Sequence, residues 1–280
     1  MEKDTSHYAE LIKVESIPPL PATAVSLLQM ATDPDVEIAD IAQLIERDPP
    51  LSARLIGIAN SAFYSPRQPV TTVKSAIVSV LGLNMVRNIA FGLALTGGLS
   101  TSACPRFDLT QYWIMALGTA DLASGLARAA THGDGPDPDA VYLSGLLHNL
   151  GELLLVHLWP YEMNDVLARF ENDPETALVE HEYRVIGVDH WAAGAFLARH
   201  WQLPAFVAQT IESLDDRRVD VPDDASIMLL RAARRWVAGV AVGRSESLRV
   251  DGVDETYCEY RSTSFLDRFD GLAAIARTMS

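Results

Sequence analysis

The sequence predicts an all-α fold built from many helices of modest length. Three observations predict it. Apolar residues recur at helical spacing almost throughout the 280 residues, which places them on one face of each helix. Alternating apolar and polar runs of the strand type are scarce. Prolines, glycines and short capping side chains fall where the apolar stripes stop and start.

In chain order, Ile38, Ile41, Ala42 and Ile45 form one stripe. Asp48 followed by Pro49 supplies an N-cap and a first-turn proline for the next, whose stripe is Leu51, Leu55, Ile58 and Ala62. Thr72 can cap a third helix with Val73, Ala76, Ile77, Val80 and Leu81 inward, and Gly82 is placed to end it. A further helix runs from Asn84 to Leu95 and closes at Gly97-Gly98. Segment 99–108 bears Ser, Thr and Pro and reads as a linker.

A long helix from Asp108 to Ala130 carries Ala116, Ala120, Ala123, Gly125 and Ala127, small residues that predict close helix packing. THGDGPDPD at 131–139 is a turn-rich loop, and Asp139 can start the helix of Leu143, Leu146, Leu147 and Leu150. Helices near 152–158, 161–171, 174–186, 190–201 and 204–213 follow, punctuated by Pro160, Pro174 and Pro204. Two more helical patterns, 224–241 and 264–278, flank a polar stretch at 245–264 that reads as a loop or a short hairpin. No tandem repeat or low-complexity tract is present.

The apolar fraction of 49% suffices for a sizeable core, and the net charge is −15. Such a surface repels phosphate backbones and anionic lipid heads, so neither nucleic acid nor membrane is an expected partner. Cys104 and Cys258 sit in no metal-ligand spacing and read as reduced thiols of a cytosolic protein. The opening MEKDTSHYAE lacks a basic-then-apolar signal pattern, so a cytoplasmic location is expected. The longest uncharged run, between Arg87 and Arg106, contains Gly92, Gly97, Gly98 and Pro105 and makes no lipid-facing helix. Nucleotide-binding glycine loops and the GxSxG elbow are absent. Arg231, Arg234 and Arg235 share a helical face, either as a phosphate patch or, as the acidic composition favours, as an ion-paired face. Tyr112, Trp113, Trp159, Trp191 and Trp201 read as packing residues.

Two stretches point to a family. The first runs from Ile17 to Ala90 and holds PPLP, paired DP signals, LSARLIGIANSAFY and VTTVKSAIVSVLGLNMVRN. The second is YLSGLLHNLGELLL followed by GVDHWAAGAFLARHWQLP. Together, over residues 15–213, they resemble the HDOD family, the HD-related output domains of bacterial signalling proteins. The resemblance implies an all-α, multi-helix HD-related fold in which an N-terminal helical subdomain, 1–98, packs on an HD-like region, 99–213; residues 214–280, which it does not reach, read as a helical C-terminal extension from their apolar pattern. Many such chains also carry a receiver domain as input, in the manner of response regulators. This one is too short for both and shows no acidic cluster of receiver type.

The family's active relatives hold a divalent metal through histidines and aspartates from several helices, and the metal activates a water and clamps a phosphate. Neutral imidazoles and anionic carboxylates must converge on one cation. The central His-Asp pair of that pattern stands here as His148-Asn149, and an amide oxygen is a poorer ligand that cannot act as a base. Where the pattern expects an upstream histidine two residues after Trp113, Met115 stands. The segment DRR at 216–218 offers a carboxylate, but IESLDD replaces the paired histidines expected at the end of the Pro204 helix.

No catalytic residue, metal or cofactor is therefore expected, and Met115, His148, Asn149 and His190 are read as vestigial positions of the HD site. His148 reads equally as a hydrogen-bonded core histidine, and His190, behind Asp189, as a helix start. The expected function is a non-catalytic signalling module that binds a protein partner, for example an enzyme of cyclic-dinucleotide turnover or a motility regulator. The alternatives are a metal-dependent phosphohydrolase or phosphodiesterase of the HD superfamily, and a nucleotide-sensing module.

Overall fold

Short polar side chains write the helix boundaries of this chain, and they do so where the sequence places them. Asp48 Oδ1 accepts from the Leu51 N–H at 3.1 Å. Thr72 and Ser75 cap reciprocally, each hydroxyl accepting the other's backbone N–H, at 3.0 and 3.1 Å. Asp224 accepts from Ser226 N–H at 2.7 Å. The structure, a computed structural model, describes residues 11, 17–31, 36–130, 135–218, 224–244 and 246–280. Asp33-Pro34 and the first part of the 131–139 loop lie outside them.

The helices are α1 (Ala22–Ala31), α2 (Ile38–Glu46), α3 (Pro49–Ala59), α4 (Val73–Ala76) leading into a π turn at Ile77–Leu81, α5 (Leu83–Thr96), α6 (Leu109–Ala127) and α7 (Pro138–Leu147). They continue as α8 (Leu150–Leu158), α9 (Pro160–Asn172), α10 (Leu178–Ile186), α11 (His190–His200), α12 (Ala205–Ser213), α13 (Ala225–Ala241) and α14 (Glu255–Met279). No strand occurs among the described residues, as the periodicity predicts. By contacts the chain forms two compact units, interleaved in sequence. One comprises Met1–Pro19, Gly98–Leu109 and Leu147–Pro222, the other Leu20–Gly97, Thr110–Leu146 and Asp223–Ser280.

In the second unit α2 packs on α1, α3 and α4, and α3 packs on α5 and α14. Ile41, Ile45, Leu55, Ile58, Ile89, Leu122 and Phe265 are fully buried there. Ile38 and Ala62, placed inward by the stripe reading, are exposed: Ile38 is the first residue of α2, and Ala62 lies beyond α3, which ends at Ala59. The small residues of α6 and α7 do permit close approach. A Cβ on Gly145 would lie 2.7 Å from Ala120 Cα, and one on Gly118 would lie 2.8 Å from a Val237 methyl. Gly82 ends the π turn at φ +80°, a conformation that costs L side chains strain.

The tail corrects the sequence reading. Residues 255–264 are helical, part of the 25-residue α14, and not a loop or hairpin. Asp254 caps this helix through Tyr257 N–H at 3.1 Å. Its inward groups are polar-tipped. The Tyr257 hydroxyl donates to Gly125 O at 3.1 Å, and Arg261 donates to Asp121 O at 3.1 Å. An aliphatic periodicity search passes over such a face.

In the first unit α11 packs on α8 and α12, and α9 packs on α8 and α10. Trp201 Nε1–H, at the end of α11, donates to Pro18 O at 2.9 Å, which ties the PPLP segment to that helix. Helix α10 begins at Leu178, not near Pro174, because residues 173–177 form a turn. Leu150 opens α8 instead of closing α7. The stretch Pro138–Leu158 is, among the described residues, the one long and apolar enough to cross a membrane, and 78% of its apolar window is interior. The cysteines, Cys104 and Cys258, are buried free thiols.

Candidate functional site

The site is built where the first turn of α8 meets the first turn of α11. Two glycines permit the meeting. A Cβ on Gly151 would lie 1.8 Å from the His190 carbonyl oxygen and 2.6 Å from the Gly194 nitrogen. The backbones therefore touch directly, and only glycine fits at Gly151. Asp189 caps α11 by accepting from Ala192 N–H at 2.9 Å, as the sequence predicts.

His190, the first residue of α11, points to Glu182 on α10. Its Nδ1 lies 2.7 and 2.9 Å from the two Glu182 carboxylate oxygens, and its backbone N–H donates to the same carboxylate at 2.9 Å. The Glu182 side chain is 0% exposed and that of His190 6%. Burial alone lowers the imidazole pKa. The charge and hydrogen bond of Glu182 outweigh it, Glu152 and Asp189 add to them, and the result is raised to about 9. The raised pKa favours the imidazolium, in which Nδ1–H donates to the carboxylate.

A second ion-pair group lies beside the first. Arg217 Nε and a terminal nitrogen each donate to Asp215 at 2.9 Å, and its backbone N–H donates to the same carboxylate at 3.0 Å. Arg217 also pairs with Asp189 and stands 3.8 Å from Glu180. Burial raises the Asp215 pKa, but the Arg217 hydrogen bonds and charge, with a contribution from His190, bring it below its ordinary value. Hydrogen bonds and charge from Asp215 and Asp189 in turn raise Arg217. Asp189 therefore connects a continuous chain of charge from Asp215 to Glu182.

Of the four positions singled out in the sequence, His148 and Asn149 form the buried turn between α7 and α8, and His190 opens α11. Gly151, two residues after Asn149, carries that turn to His190. Met115 lies half-buried on α6, in the second unit. The reading of the sequence missed Glu182, Glu152 and the Arg217–Asp215 clamp, and it looked to residues 216–218 for a carboxylate where Asp215 carries the interaction.

These side chains are paired with one another rather than gathered around a common point. Glu182 holds His190 with both carboxylate oxygens near Nδ1, and Asp215 is clamped by a guanidinium. Among the described residues no group of three or more His, Cys, Asp or Glu side chains is arranged to hold a metal ion. The Arg231–Arg234–Arg235 face lies in the second unit, and each of the three has a partner.

The ion pair sets a pH dependence. The folded pKa of about 9 exceeds the ordinary 6.5, so the stabilisation is fully present below about 6.5 and is lost as pH rises through about 9. At roughly 1.4 kcal/mol per unit this amounts to on the order of 3 kcal/mol. Urea midpoints measured across that window are expected to fall with rising pH in the parent chain and to stay flat in Glu182→Gln.

Comparison with known proteins places the chain in a family. The HDOD domain profile matches residues 17–216. A Treponema pallidum (strain Nichols) uncharacterized protein is 31% identical over 201 residues, 71% of this chain and 37% of that one, so the chain spans little over a third of that relative. A Marinobacter aquaeolei VT8 structure, a “Putative signal transduction protein”, is 30% identical with a TM-score of 0.77, covering 94% of this chain and 60% of that one. An HDOD domain protein with unknown function from Geobacter sulfurreducens superposes with a TM-score of 0.75 at 21% identity, over 99% and 97% of the two chains. A “Putative phosphohydrolase” from Shewanella amazonensis SB2B superposes with 0.76 at 23% identity, over 96% and 97%. The last two likenesses establish the fold alone.

Proposed function

The chain belongs to the HDOD domain family, and from that premise we propose that it is a signal-transduction module that works by binding a protein partner, with its HD-type site given over to internal ion pairs. The observation that carries this reading is the buried Glu182–His190 pair, in which a carboxylate holds His190 through Nδ1 and the backbone N–H and raises the imidazole pKa. Asn149 in place of an aspartate beside His148 supports it from the sequence side.

Such a site contributes stiffness rather than chemistry. It fixes the crossing of α8 on α11 and the entry of α11 from α10. A rigid helix surface is what a partner needs, since preformed faces lose little entropy on binding. The partner class is a signalling protein, such as an enzyme of cyclic-dinucleotide turnover or a regulator of motility, met in the cytoplasm. The Marinobacter relative, named for signal transduction, supports the same class.

Two measurements on the full chain test this. Phosphodiester and nucleotide substrates, cyclic dinucleotides included, are expected to show no turnover above background with Mn²⁺ or Mg²⁺. Co-purification from the native cytoplasm is expected to recover one partner reproducibly. Turnover abolished by His148→Ala, with stoichiometric metal bound, would replace the proposal by metal-dependent phosphohydrolysis.

A further inference from the structure

A separate cavity in the second unit has the chemistry of a ligand site. It has a volume of about 390 Å³ and is lined by Gly82, Asn84, Asn88, Arg128, Asp139 and Tyr142, among others. It opens at the N-terminus of α5, a 14-residue helix with no acidic residue in its first turn and no side chain capping it. Gly82 brings no side chain over this end. The first N–H groups of the helix lack intrahelical acceptors, and the helix dipole adds positive potential there.

Two independent features point into the same space. Asn88, one turn along α5 from Asn84, is 6% exposed and makes no side-chain hydrogen bond among the described residues. Its amide borders the cavity, where its donors and acceptor are available to an occupant. Arg128 is exposed and has no ion pair among the described residues, in a chain of net charge −15 where carboxylates abound. Asp139 accepts a hydrogen bond from the Asn84 amide, which positions a carboxylate at the rim for hydroxyl groups of a ligand. Tyr142 is committed to Tyr64 and forms the wall.

We propose that this cavity binds a small phosphomonoester carrying hydroxyl groups, of the size of a sugar phosphate or a mononucleotide. The phosphate sits on the α5 N-terminus between Arg128 and Asn88, and the hydroxyl-bearing part faces Asp139. Guanidinium, amide and backbone N–H donors together match phosphate oxygens. A cavity of this volume falls in the range of small-ligand sites. The site is distinct from the Glu182–His190 site and does not depend on the partner-binding reading.

Calorimetric titration of the full chain with inorganic phosphate and with ribose 5-phosphate, against ribose as the phosphate-free control, tests it. Both phosphates are expected to saturate at one site while ribose gives no signal. Arg128→Gln, at an exposed position that leaves the fold intact, is expected to weaken binding about tenfold or more. Asn88→Asp, which removes donors and adds a like charge, is expected to abolish it. Failure of either phosphate to saturate, an equal response to ribose, or unchanged binding by Arg128→Gln would each overturn the assignment.

Discussion

Glu182→Ala is expected to destabilise the chain by about 3–5 kcal/mol, the usual cost of removing one member of a buried ion pair. Glu182 has no solvent contact, and three hydrogen-bond distances to His190 depend on it. Without it His190 is left in a site where burial alone disfavours the charged ring. Its proton is lost and its backbone N–H has no acceptor. Glu182→Gln retains the volume and one acceptor, so its cost is smaller, and it removes the alkaline pH dependence. The combination Glu182→Leu with His190→Leu is expected to be less damaging than either single change, because a matched apolar pair leaves no buried charge behind. Chemical denaturation of the four proteins reads this coupling directly.

Gly151→Ala is expected to be comparably severe. The new methyl would sit 1.8 Å from the His190 carbonyl oxygen, and both groups are parts of rigid helices. No flexible side chain is available to give way. Helices α8 and α11 must separate, and overpacking of this kind costs roughly 3 kcal/mol or more. Gly194→Ala, whose Cβ would meet Gly151 N at 3.0 Å and Ile211 Cγ2 at 3.1 Å, is expected to cost less, since the ångström of overlap is smaller. A thermal melt that left Gly151→Ala at the parent temperature would mean that the two helices do not cross as described.

The fold class was legible because its signals are local. Asp48, Thr72, Asp189 and Asp224 each cap a helix within a few residues of themselves, and hydrophobic stripes mark faces without reference to the rest of the chain. Legibility failed where the information lies between elements. Glu182 stands in EHEYR, a charged run whose ordinary position is the surface, and nothing in its spacing announces a histidine eight residues on and one helix away. The polar first half of α14 is another such case. Its inward face is Tyr257 and Arg261 reaching backbone carbonyls on α6, invisible to a count of aliphatic residues. The π turn before Gly82 is a third, since it keeps the apolar pattern of an α-helix while widening the turn.

At the HD-type positions the sequence and the structure contribute different halves of one argument. The sequence has Asn149 and Met115 at two positions where the family resemblance implies an aspartate and a histidine. It left open what His190 does. The structure answers with a carboxylate that was not in the expected ligand set, and with Arg217 closing over Asp215, one residue ahead of the segment searched. His190 is turned to Glu182, and Asp215 to Arg217.

The ionisation of His190 is the quantity on which this account turns, and nitrogen-15 shifts of its imidazole, followed against pH with and without Mn²⁺, measure it most directly. The account predicts a ring protonated on both nitrogens at neutral pH, titrating near about 9 and unaffected by the metal. A neutral ring at neutral pH, with one nitrogen selectively broadened by stoichiometric Mn²⁺, would contradict it.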